Sequence, residues 1–291
     1  MTMGDFRLYA VTEKGAQPLE APEEATDFAD LYAGLAPGVY SALRTFEHNK
    51  FLDLEAHIAR TRLSMELLGW QYALDEARLR QVLHEVVTSF PGQNARVRFD
   101  VLAKAASQLG TDSRVLIALK PFKPVPARYY EEGVGVDFAP TLQRELARAK
   151  TADFAQQRHR YLPRENQQHY EHLILDDKGY ILEGTKSNFW AVRDGVVWTS
   201  GRGVLEGVTR KIVLSLLPEL ELGLRLEAIH RDEISELEEA AISGSSKAIV
   251  PVVNIKGQRV GNGRPGPIFH AILDCYREYV ASVIKTAVDL G

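Results

Sequence analysis

The stretch from His172 to Trp198 constrains the fold of this 291-residue chain more than any other. Short extended runs are predicted over 172–176, 180–183, 188–192 and 196–198, separated by the turn signals Asp177-Lys178-Gly179 and Asp194-Gly195. Asp-Gly between apolar runs favours a tight hairpin, because its residues tolerate the positive φ that the turn needs. A chain that reverses this often in so few residues must build a meander of short strands. Glu183 then falls at a strand end beside the loop Gly184-Thr185-Lys186-Ser187, and Asn188 begins the next strand. Downstream, Gly203 to Arg210 opens a helix predicted over Val208–Leu217.

A carboxylate on a rigid strand near a helix N-terminus has chemical content. The helix end offers free N–H groups and a positive partial charge, so it favours an anion such as phosphate. The carboxylate favours a cation. A ligand with both a phosphate and a protonatable ring nitrogen fits; pyridoxal phosphate is one, and its carbonyl requires a lysine amine.

The rest of the chain supplies two mixed layers. Strands are predicted over 6–11, 38–46, 95–102 and 115–119, and helices over Leu54–Leu68 and from Asp75 to Phe90, with Asp53 and Asp75 as N-caps. The segment from Glu13 to Asp30 is acidic and contains prolines, and reads as loop with some helix. Pro121, Pro124 and Pro126 mark a semi-rigid linker. The expected division is therefore 1–120, a linker over 121–134, and 135–291. In the second part, 135–139 reads as strand, 143–149 and 151–170 as helix-prone with Pro163 interrupting, 224–228 as strand, 231–239 as a helical turn, 249–253 as strand, and 268–287 as helix. Strands and helices in both halves imply an α+β chain with a cleft.

Composition narrows the function. A net charge of -4 with scattered Lys and Arg gives no nucleic-acid footprint. The single Cys275 excludes an internal disulfide and suits a reducing cytoplasm. Met1 to Phe6 does not read as a signal peptide, and no apolar run is long enough to span a bilayer. His169 and His172 lack a carboxylate or Cys partner at a recognised metal spacing, so no metal is expected. There is no Gly-x-Ser-x-Gly elbow and no Gly-Lys-Ser/Thr phosphate loop.

Five segments in order carry a family resemblance. They are Gly38-Val39-Tyr40; His57-x-x-Arg60; Lys150-Thr151; Glu183-x-x-x-Ser187-Asn188-Phe189 with Val204 to Arg210; and Gly244-Ser245-Ser246 before Pro251. The pattern resembles the fold-type IV pyridoxal-phosphate enzymes: branched-chain and D-amino-acid aminotransferases, with aminodeoxychorismate lyase as a relative. The resemblance implies a two-domain α+β fold, with a smaller N-terminal α+β domain and a larger C-terminal α/β domain that binds cofactor. It implies that Lys150 is the Schiff-base lysine and that Glu183 pairs with the pyridine nitrogen. It implies that Arg60, Val208, Thr209, Gly244 and Ser245 hold the phosphate, with Arg62 as the alternative should the register slip. Tyr40, Arg44, Arg98, Ser246 and Lys247 are the candidate substrate residues, Arg44 and Arg98 for a carboxylate.

Two departures bear on the site. Asp153 and Ala155 stand where some relatives carry asparagine and tyrosine, and Lys247 stands where small residues are common, so it is expected to project into the pocket or across an interface. The expected activity is transfer of an amino group from an amino acid or amine to a 2-keto acid, in a cytoplasmic homodimer. A pyruvate-eliminating lyase on the same scaffold and a non-catalytic binding protein remain the alternatives.

Overall fold

A computed structural model describes residues 6–161 and 169–287. The chain forms two compact units, 1–123 with 149–156 and 280–291, and 124–148 with 157–279.

In the first unit, β1 (Arg7–Thr12), β2 (Gly15–Leu19), β3 (Gly38–Phe46), β4 (Lys50–Phe51), β5 (Ala95–Leu102) and β6 (Val115–Pro121) form an antiparallel sheet in the order β2-β1-β6-β5-β3-β4. Helices α1 (Leu54–Leu67) and α2 (Glu76–Thr88) begin at Asp53 and Asp75, whose carboxylates accept from Ala56 N and Arg78 N. The alternation in β5 and β6 divides the core in two. Val97, Phe99, Val101, Val115, Ile117 and Leu119 join Ile58, Leu79, Leu83 and Val86 of the helices. Leu102, Leu116 and Ala118 join Phe28, Leu31 and Tyr32. The loop expected after Glu13 contains a strand, β2. Its Pro18 has no N–H to donate, and the sheet edge is where such a residue is tolerated.

Residues 149–156 belong to this unit because they dock on the free N-terminal half of β3. Tyr40 N donates to Lys150 O at 3.0 Å, and Thr151 bridges Val39. The end of the C-terminal helix is tied by Lys50 Nζ, which donates to Ile284 O at 3.0 Å.

The second unit carries the turn α3 (Arg128–Glu131), and the chain passes through α4 (Ala152–Gln157) between visits to it. Its strands are β7 (Val134–Phe138), β8 (Glu171–Leu175), β9 (Ile181–Gly184), β10 (Asn188–Arg193), β11 (Val196–Trp198), β12 (Leu224–Arg225), β13 (Glu239–Gly244), β14 (Ala248–Ile255) and β15 (Gln258–Arg259). The path β12-β11-β10-β13-β14-β7-β8-β9 closes on itself where Asn188 of β10 pairs with Glu183 of β9. Val136, Leu173, Phe189, Ala191, Ile242, Val250 and Val252 form the core of this ring. Asp194 and Gly195 both have positive φ, 52° and 67°, as the two-residue hairpin between β10 and β11 requires. Helices α5 (Val208–Leu216) and α6 (Pro267–Thr286) complete the unit, although α6 ends in the first.

Three further predicted elements differ. Residues 143–149 form turns rather than helix, and the helix expected over 151–170 is α4 followed by a 3-10 turn to Tyr161, with 162–168 and Pro163 outside the described residues. The strand expected over 224–228 shrinks to Leu224–Arg225.

Candidate functional site

In the first unit, Lys150 is pinned through its backbone. Its N–H donates to Ser64 Oγ of α1 at 3.1 Å and its carbonyl accepts from Tyr40 N of β3. The ammonium lies 4.8 Å from the centroid of the Tyr40 ring. Arg60 projects from α1 toward the same sheet and donates through Nη2 to Ser41 Oγ at 2.9 Å, with His57 Nδ1 at 3.4 Å. Arg62 instead lies exposed and donates to Glu76 at 2.7 Å, so helix phase separates the two arginines. Burial, then the charges of Arg60 and Lys150, hold the His57 pKa well below the usual imidazole value. The neutral ring can therefore accept at Nδ1. Ser41 and Ser64 carry no signal in the sequence, and His57 stands out only as a member of its motif. Their spacing repeats the helical and strand periods that any core residue would show.

Arg98 and Asp100 lie on the β5 face that also carries Tyr40, since β3 pairs Tyr40 with Asp100 and Ala42 with Arg98. Here the structure corrects an expectation. The Arg98 guanidinium, expected to meet a substrate carboxylate, is buried and donates to both Asp100 oxygens, at 2.8 and 2.6 Å. Arg44 is half-buried with its guanidinium 3.9 Å from the Phe46 centroid and 4.3 Å from that of Phe122.

In the second unit, Glu183 is buried at the end of β9 and held by three elements. Oε1 accepts from Arg144 Nε at 2.7 Å; Oε2 accepts from Leu205 N at 3.0 Å and Asn188 Nδ2 at 3.4 Å. Asn188 Nδ2 also donates to Leu205 O at 2.8 Å, which fastens the segment before α5 to the strand. Gly207 is required there, because a Cβ would lie 2.3 Å from Asn188 Oδ1. Gly207 caps α5 without a side-chain hydrogen bond, so Val208 and Thr209 begin a helix whose N–H groups suit an anion. Arg144 has no sequence signal, because its segment reads as helix and its partner is 39 residues away.

Gly244 to Lys247 turn the chain from β13 into β14, with Lys247 N donating to Gly244 O at 3.0 Å. Ser245 and Ser246 are half-buried in this turn. The second correction concerns Lys247. Its side chain, expected to project into a pocket or across an interface, is buried as an ion pair with Glu171, and Nζ lies 5.0 Å from the Tyr170 centroid. Glu171 Oε1 accepts from Lys186 N at 2.5 Å and Ser187 Oγ at 3.0 Å. Burial works to raise the Glu171 pKa, but the Lys247 and Lys186 charges and the hydrogen bonds outweigh it and hold the carboxyl below its usual range. Among the described residues no group of three metal-ligating side chains occurs, and no helix is long and apolar enough to cross a membrane.

Residues 38–255 match the family described as amino-transferase class IV. A D-alanine aminotransferase of Bacillus licheniformis is 26% identical over 257 residues, covering 86% of this chain and 90% of that protein. A branched-chain-amino-acid aminotransferase of Pseudomonas aeruginosa is 32% identical over 112 residues, 38% of this chain and 36% of that one. The fold is similar to that of a branched-chain amino acid aminotransferase solved with pyridoxamine 5'-phosphate, at a TM-score of 0.79 and 21% identity over 97% of this chain and 96% of that one. A putative branched-chain amino acid aminotransferase of Thermotoga maritima gives 0.75 and 22% over 96% and 97%. The family match spans five separated motifs and most of the chain, and the chain belongs to the class IV aminotransferases, pyridoxal-phosphate enzymes of fold type IV.

Proposed function

We propose that the protein moves an amino group from an amino acid or amine to a 2-keto acid, with Lys150 as the lysine that holds pyridoxal 5'-phosphate and transfers the proton. The donor set fits that cofactor. Glu183 is a buried carboxylate fixed by three donors and suited to a protonated ring nitrogen. Arg60, the start of α5 at Val208 and Thr209, and the Gly244-Ser245 turn are cationic or N–H-rich and suited to phosphate. When bound, the cofactor supplies a carbonyl for the amine and a ring that withdraws electrons from the substrate α-carbon.

The residues divide the remaining work. Lys150 needs a fixed position to reach one carbon with its amine, and backbone hydrogen bonds on both its sides provide it. That pinning is the observation that carries the reading. With the cofactor bound, the Lys150 amine would take the α-proton from the donor and return it, serving as both base and acid. Glu183, fixed by Arg144, Leu205 N and Asn188, would face the cofactor's protonated ring nitrogen. Ser41 and neutral His57 orient the Arg60 guanidinium. Ser246 offers the substrate carboxylate an N–H beside the phosphate turn.

Replacing Lys150 with Ala tests this. Loaded wild-type protein mixed with an amino donor alone is expected to lose its visible absorbance and release a keto acid. K150A is expected to be slower by about a thousandfold or more. Turnover by K150A near the wild-type rate would sink the assignment.

A further inference from the structure

The Arg98–Asp100 pair lies where the fold has no need of one. A buried ion pair adds little net stability against apolar residues of similar size, and on the neighbouring strand the same layer is filled by Leu116 and Ala118. Yet Arg98 is only 3% exposed and Asp100 0%. The guanidinium carbon lies 4.2 Å from the Tyr32 ring centroid and 4.0 Å from that of Tyr40. Lys150 Nζ lies 4.8 Å from that same Tyr40 ring. One tyrosine ring therefore lies close both to the reactive amine and to a guanidinium held by two rings and a bidentate carboxylate.

An unpaired guanidinium here would be a strong receptor for a carboxylate, because its planar fork matches two oxygens. Asp100 fills that fork from two residues along the same strand. A second carboxylate arriving on a substrate would lose its water, find the fork occupied and meet the Asp100 charge.

The geometry points to Asp100 as a specificity-determining residue: by closing Arg98 into a neutral pair beside Tyr40, it selects donors with an uncharged side chain, aliphatic or aromatic, over donors with a second carboxylate. This rests on the reading of Lys150 given above.

The test is a half-reaction on loaded wild-type, D100N and R98M/D100N proteins, without keto acid. Alanine, 2-aminobutyrate and phenylalanine are compared with aspartate and glutamate, each as both enantiomers. In the wild type the best uncharged donor is expected to exceed the best dicarboxylic donor in the second-order rate constant of the half-reaction by about 100-fold or more. D100N exposes the Arg98 charge and is expected to narrow that ratio at least about tenfold, mainly through the apparent Kd of the dicarboxylic donors. R98M/D100N is neutral again and restores the wild-type ratio. Wild-type protein that takes dicarboxylic donors equally well overturns the inference while leaving Lys150 in place. So does a D100N protein that slows every donor by the same factor, since that marks a merely structural pair. Absorbance that no donor changes sinks the aminotransferase reading and the inference with it. Should D100N fail to fold, inhibition of the wild type decides: succinate binding no tighter than propionate is expected, and succinate binding about tenfold tighter overturns the inference.

Discussion

His57 shows how a single buried group ties stability to the site. Burial and two neighbouring cations hold its pKa well below the value of the unfolded chain, which is about 6.5. Below that value the unfolded state takes up a proton that the folded state refuses. Stability is therefore complete above about pH 6.5 and is lost as pH falls from there toward the lower folded value. The melting temperature is expected to drop between about pH 7 and 5, and His57→Gln to flatten that slope in part, because His172 is also shifted down by burial. An identical acid slope in the variant would show that His57 is not the group responsible. A second prediction concerns Glu171 and Lys247. Lys247→Met leaves a buried carboxylate without its counter-ion and is expected to destabilise by about 3–5 kcal/mol, read by urea unfolding. Glu171→Gln in addition should recover part of that loss. At this scale the sequence names Lys150, Glu183 and Arg60 as candidates through their order in the motif segments. Arg144, Ser41 and Ser64 are not named, since each matters only through a partner brought to it by folding.

Elements were legible where a cap or an apolar face marks them. Helices α1 and α2 begin at the predicted caps, and β3, β5 and β10 fall on the predicted runs. The strand β2 was hidden by Pro18, which is compatible with a strand only at a sheet edge, and edges are decided by topology. The turns over 143–149 have helical composition but no buried helical face to stabilise them. Two predictions belong here. Gly207→Ala would place a Cβ 2.3 Å from Asn188 Oδ1. The strand and the start of α5 must then part, at a cost of about 1–3 kcal/mol. A cofactor titration should show weaker retention alongside the lower melting temperature, and unchanged retention would separate α5 from the phosphate. Helix α6 is capped from a distance, with Ile268 N and Phe269 N donating to Glu239 at 2.9 and 2.8 Å. Glu239→Ala is expected to cost about 1–2 kcal/mol by chemical denaturation, since it removes both a cap and a charge at the helix N-terminus.

At the scale of the whole molecule, the class IV assignment covers residues 38–255 and so includes parts of both units. Transamination and elimination differ in product. Donor alone should convert the loaded protein stoichiometrically to its amino form, and aminodeoxychorismate should yield no pyruvate; pyruvate release would favour the lyase. The sequence by itself determined what is local or repeated at fixed spacing: the apolar periods, the caps and the Asp-Gly hairpin. These depend on residues a few positions apart, and their physics acts within a turn or a strand. Only the tertiary structure decided that 149–156 docks on the free edge of β3, that β9 and β10 close a ring at Glu183, and that Arg98 and Lys247 are held by Asp100 and Glu171. A strand edge becomes available, and a charge finds its counter-ion, only after segments far apart in the chain have packed and excluded water between them.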